Sequence, residues 1–273
     1  MQELLNNPAV QGVVAPFAVA LVVVFGLFLL RQGGLAIGAA LGTAVYLVGG
    51  AAFPPVSAQQ KILLVSLVVP VVGIIVDLAF KPTRAAAAVL GLIFGLAALW
   101  VGVNVLKQKE LPAMLLTGGG VAALVGWLVA AMFALRDDPL RAGAAALALG
   151  LGVGVSALLS ASGSYGQYGA SVGAGAGAFL LAQMLMGRTI AAGATLALSA
   201  GVACGLIAVG AVLGSPLPWY AAAALALVPL AVRVPLPKAG IRIQAIAASV
   251  YGGIPALAAC LLSWPQMQQR LGF

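Results

Sequence analysis

The stretch Ile190–Leu213, IAAGATLALSAGVACGLIAVGAVL, decides the fold. It runs 24 residues without a charge, and Thr195 and Ser199 are its only hydroxyls. As a helix it rises about 36 Å, enough to cross a hydrocarbon core of about 30 Å. A membrane strand needs only about 10 residues and alternates apolar with polar, which this stretch does not do.

Working outward, the same reading places nine further spans near 10–30, 34–53, 61–80, 85–105, 112–135, 142–160, 169–187, 218–232 and 243–263. The span at 218–232 is short and contains Pro229. Little sequence lies between these segments, so the expected architecture is all-α. One polytopic transmembrane helical domain of about ten helices covers 1–273. Composition agrees: 63% of the residues are hydrophobic and 7% charged, against roughly a quarter charged in soluble domains. The mean hydropathy is +1.18.

The net charge of +8 resembles a nucleic-acid footprint until the charges are placed. They fall in short loops, where Lys and Arg set orientation, so no nucleic-acid partner is expected. Arg31, Lys81, Arg84, Arg136, Arg141, Arg188, Arg233, Lys238 and Arg242 lie in the odd-numbered loops. Lys61, Lys107, Lys109 and Arg270 lie on the other side. This imbalance puts the odd loops in the cytosol and both termini in the periplasm of a bacterial cytoplasmic membrane. The bacterial assignment follows from the Ala/Gly-rich composition. Trp100, Trp219, Tyr220 and Trp264 cluster at the expected outer ends, as an interfacial belt does. Lys107 and Lys109 sit against the rule. The opening MQELLNN carries Glu3 and no basic region, so the first apolar segment is expected to remain as a span.

The missing residue types remove whole classes of chemistry. There is no histidine, which rules out histidine-ligated haem, the usual His/Cys zinc sites and Ser–His catalysis. The five acids are Glu3, Asp77, Glu110, Asp137 and Asp138, and only Asp77 belongs to a span. Facing carboxylates for intramembrane proteolysis cannot be assembled, nor can a ring of acids around a divalent ion. Ser57 and Lys61 are four apart but flank a Pro-Pro-Val loop, a poor setting for a catalytic dyad. Cys204 and Cys260 lie inside spans, as small packing residues do. Neither an enzyme nor a cofactor is expected.

The candidate functional residues are therefore the few polar groups within or beside spans. Asp77, in GIIVDLAFKPTR, precedes Lys81 by four residues and shares its helix face,. It reads either as an interfacial ion pair or as a proton or cation site. Ser160, Ser162, Ser164, Tyr165, Gln167 and Tyr168 form an uncharged, hydroxyl-rich connection between spans six and seven. That connection is a wet hairpin or a surface for a neutral polar ligand or headgroup. Asn104, Gln183 and Gln244 are expected to hydrogen-bond neighbouring helices, worth about 1 kcal/mol or less each.

Gly34, Gly38 and Gly42 form one four-spaced ridge, and Gly169, Gly173 and Gly177 another. Gly91 with Gly95, Gly150 with Gly154, and Gly201 with Gly205 extend the pattern. Lipid tails are as apolar as leucine, so small faces that let backbones approach drive helix association. Pro16, Pro70, Pro229 and Pro255 shape their helices or act as hinges.

The Ser/Gly-rich hairpin, Gly166-Gln167 and the small-residue helix through Gly177 resemble bacterial polytopic membrane proteins of unknown function, a resemblance that implies no activity. In length and span number the chain is also similar to the drug/metabolite transporter superfamily. That family has both termini inside and an inverted repeat of two equal halves, and neither is visible here. Two function classes follow. One is a non-enzymatic transporter of a small neutral or lipid-like solute. The other is an accessory subunit that meets a larger membrane complex, or a second copy of itself, through glycine faces. Membrane lipids are partners in both.

Overall fold

The computed structural model describes residues 7–27, 33–48, 57–79, 83–160 and 162–271. Among these the chain is helical, with no strand. We number the helices α1 (Val10–Gly26), α2 (Leu35–Val48), α3 (Ala58–Ala79), α4 (Arg84–Leu106), α5 (Leu111–Phe133), α6 (Pro139–Leu159), α7 (Gly163–Met186), α8 (Gly193–Gly214), α9 (Trp219–Ala231) and α10 (Ile241–Leu271). Seven of them, α3 to α8 and α10, are long and apolar enough to cross a membrane. The other three are shorter apolar helices. The span at 34–53 runs past Val48 into residues outside those described, as does the Arg31 loop.

Local chemistry sets the ends. The Thr83 hydroxyl accepts the Ala86 N–H at 3.1 Å, and the Asp138 carboxylate accepts the Arg141 N–H at 3.2 Å. Each satisfies a first-turn donor that has no partner within its helix. Pro112 and Pro139 occupy first-turn positions where a missing N–H costs nothing,. Gly187, at φ 64°, closes α7 in the left-handed region that glycine enters freely,. Helix α1 opens with a π turn over Val10–Val14, just ahead of Pro16.

Every residue of α8 from Ala194 to Ala211 is buried. A helix apolar all round has no face to offer water, and here the other helices enclose it. It touches α2, α3, α4, α5, α6 and α7. The outer helices instead turn Leu92, Leu96, Leu116, Ile254, Leu257 and Leu261 outward, as a hydrocarbon solvent favours,.

The closest pair is α6 with α7. A β-carbon on Gly150 would overlap the Gly173 backbone, and one on Gly169 would lie 2.6 Å from the Gly154 Cα. In the α4–α5 seam, a β-carbon on Gly91 would meet the Gly126 carbonyl at 2.7 Å. Gly34 closes on α8, at 2.6 Å from the Ala192 carbonyl. The ridges thin out at their third members. Gly42 and Gly177 meet neighbours only at ordinary contact, 3.7 and 3.6 Å, because crossing helices diverge away from the crossing point,.

Three boundaries depart from the sequence reading. Helix α7 begins at Gly163, so Tyr165, Gln167 and Tyr168 lie on its first turns and not in a loop. Its serine and glycine content imitates a turn, but packing on α6 outweighs propensity. Helix α10 continues through Pro265 to Leu271, well past 263. Helix α9 breaks at Leu227, ahead of Pro229. Leu230 N–H bonds the Leu227 carbonyl at 3.0 Å, which leaves the Ala226 carbonyl without its helical donor,. The Trp127 indole N–H supplies a replacement at 2.9 Å,.

Connections sort onto two ends. Arg141 reaches the Val234 carbonyl at 3.4 Å and Arg242 the Met184 carbonyl at 3.1 Å, which gathers the odd connections together. Gln59 meets Tyr168, and Gly120 packs beside Trp219, at the other end.

Candidate functional site

The end away from most of the arginines holds a polar cluster. Helix α3 enters through Gln59 and Lys61. Gln59 Nε2 donates to the Tyr168 hydroxyl at 3.3 Å, and Tyr168 itself is fully buried. One turn earlier on α7, the Tyr165 ring covers Gly210 of α8. A β-carbon there would lie 2.8 Å from Tyr165 Cζ and 2.7 Å from Ile62 Cδ1. Glycine at 210 is therefore what lets the phenol and α3 share that spot. Gln167 faces α1, where a β-carbon on Gly12 would be 3.3 Å from its Cα. Ser160 ends α6 fully buried, and its hydroxyl has no hydrogen-bond partner among the described residues. Ser162 precedes α7 without a side-chain cap bond, its carbonyl accepting the Gly166 N–H at 2.9 Å. Ser164 is half-buried on the first turn.

Lys61 is the member that the sequence reading assigned to a loop. It lies on the first turn of α3, 9% exposed, with its ammonium 4.8 Å from the Trp100 ring centroid and 3.5 Å from the Trp100 carbonyl. The signal in the sequence is its place directly against the apolar run ILLVSLVV.

Asp77 stands at the opposite end with another purpose. Its carboxylate accepts the Ala194 N–H at 2.6 Å, the Thr195 N–H at 3.1 Å and the Thr195 hydroxyl at 2.8 Å. It thus caps α8 from a neighbouring helix, where free N–H groups and the helix dipole favour a negative charge. Gly193, at φ 64°, makes the fit: a β-carbon would lie 2.5 Å from Asp77 Oδ2. Gly73 brings α3 close enough, its β-carbon position being 2.5 Å from the Thr195 Cα. The ion pair expected with Lys81 lies outside the described residues.

The remaining candidates do not converge. Gln183 is fully buried near the end of α7. Its Oε1 accepts the Ile190 N–H at 3.2 Å, while its Nε2 has no partner. Sixteen residues of helix separate it from Gln167, about 24 Å along the axis,. Gln244 donates to the Pro237 carbonyl at 3.3 Å, in the segment before its own helix and not on a neighbour. Asn104 stands on the exposed face of α4.

No protein-family model matches the chain, and no curated protein matches it.

Proposed function

We propose that the chain is a non-enzymatic transporter of a small neutral or lipid-like solute, crossing a bacterial cytoplasmic membrane ten times with the arginine-rich end in the cytosol. The lipid-like cargo is favoured. The observation that carries this reading is the gathering of Gln59, Lys61, Ser160, Tyr165, Gln167 and Tyr168 at one end of a bundle whose centre is alanine, glycine, leucine and valine. Within the bundle, Ser199 returns to the Thr195 carbonyl at 2.6 Å and Ser171 to the Tyr168 carbonyl at 2.8 Å, which spends these hydroxyls on the backbone. A water-soluble solute needs polar partners across the whole bilayer, whereas an amphiphile needs them only where its headgroup rests.

The accessory-subunit reading needs glycine faces free for a partner. Gly34, Gly91, Gly150 and Gly169 are occupied by this chain's own helices, which leaves Gly119 and Gly253 with nothing within 4 Å of a β-carbon.

The test is movement. Purified protein in vesicles bearing a fluorescent amphiphile should accelerate its exchange between leaflets above protein-free vesicles. Absence of exchange, together with a stoichiometric partner complex recovered from native membranes, overturns the carrier.

A further inference from the structure

A lysine near the end of a span ordinarily lays its stem along the lipid and lifts its ammonium into water. Lys61 does the reverse. Only 9% of it is exposed, and its ammonium is turned inward against Trp100 of α4. An ammonium carries three N–H donors. Here one of them reaches an acceptor, the Trp100 carbonyl, at the outer limit of 3.5 Å. The indole face adds a cation–π contact at 4.8 Å,. Among the described residues no carboxylate pairs with Lys61. The ion pairs Arg136–Asp137 and Arg141–Asp138 lie at the other end of the bundle. A buried charge is costly unless a counter-charge and hydrogen bonds satisfy it, and the described residues supply one long hydrogen bond and no counter-charge,. Trp100 is 47% exposed, so the ammonium lies just behind a ring that meets the membrane.

We propose that Lys61 and Trp100 form a binding site for one anionic oxyacid group, a phosphate or carboxylate, presented at the α3–α4 edge. The group accepts the two N–H donors that no described residue engages, and the indole packs the carbon beside it. This deepens the transport reading by naming the charge of the cargo's headgroup, and it rests on that reading only in calling the bound molecule cargo. A lipid headgroup and a free anion share the chemistry, and the test separates them.

The full-length protein is purified and offered equal amounts of phosphatidylglycerol and a neutral galactosyl diacylglycerol of the same chains, and retained lipid is counted by native mass spectrometry. Inorganic phosphate is titrated separately, with thermal stability as the readout. The expected result is retention of the anionic lipid about tenfold over the neutral one, the scale of one charge-assisted hydrogen bond. Lys61→Met removes the preference and Lys61→Arg keeps it. A phosphate-dependent rise in stability in the wild type but not in Lys61→Met, without lipid preference, keeps the anion site and makes its source soluble. No preference and no phosphate response in the wild type overturns the proposal, as does preference surviving in folded Lys61→Met. Should that variant fail to fold, Trp100→Leu carries the localisation: the preference falls if the site is there, and an unchanged preference overturns it. Leaflet exchange with neither anionic preference nor a phosphate response leaves the carrier standing and sinks this site. Anionic preference without exchange does the opposite.

Discussion

A carboxylate within a span is expensive until its oxygens are engaged, and Asp77 engages both on the first turn of α8. Replacing it should therefore act on stability first. Asp77→Ala is expected to cost about 1–3 kcal/mol, the loss of an N-cap together with buried donors left unpaired. Asp77→Asn should cost less, since the amide oxygen still caps. Melting in detergent checks both. If Asp77→Asn leaves the melt unchanged and abolishes a pH dependence of leaflet exchange, the residue is a proton site and not an anchor. The sequence identifies Asp77 as the one acid inside a span, but its partners lie 117 and 118 residues away. Helical spacing points only to neighbours such as Lys81, so the cap was not legible. Lys61 escaped for a related reason. A cation beside a Pro-Pro-Val turn reads as a loop residue until a helix of different sequence, α4, is known to lie against it.

Small residues every fourth position announce close helix approach, and that part of the element scale was legible. Which ridge meets which was not, because spacing within one helix carries no record of its partner. The structure ranks the positions. Gly150→Leu should lower the detergent melt sharply, since its side chain would start inside the Gly173 backbone. Overpacking alone costs about 1–3 kcal/mol where neighbours can yield, and a backbone yields less than a side chain. Gly119→Leu is the matched control, with nothing within 4 Å of its β-carbon position. Equal melts for the two variants would remove the α6–α7 seam from the account. Proline is the other element-scale signal. Pro70 sits within an unbroken α3, its ring seated over Gly38, where a β-carbon would lie 2.7 Å from Pro70 Cγ. Pro229 coincides with a broken α9. The residue is the same in both places, and the local neighbours decide.

At the scale of the molecule, the described connections gather alternately at opposite ends, which is what short loops between antiparallel helices require. The proposed orientation makes a direct prediction. A phosphatase reporter active only outside the cytosol should be active when fused after Lys109 and silent when fused after Asp138. The reverse pattern overturns the orientation, and equal activity overturns the alternation. All-helical architecture was legible because apolar run length alone carries it. The central place of α8 was foreshadowed only by its lack of a polar face.

That central place bears on how the protein is made. Translation delivers the post of the bundle after the six helices, α2 to α7, that precede it and pack on it. Until residues near Gly214 leave the ribosome, Gly34, Gly73, Val125 and Val129 have no α8 to pack against. A chain truncated before α8 lacks the helix on which six others pack, and it is expected to be degraded faster than the full chain in a pulse-chase.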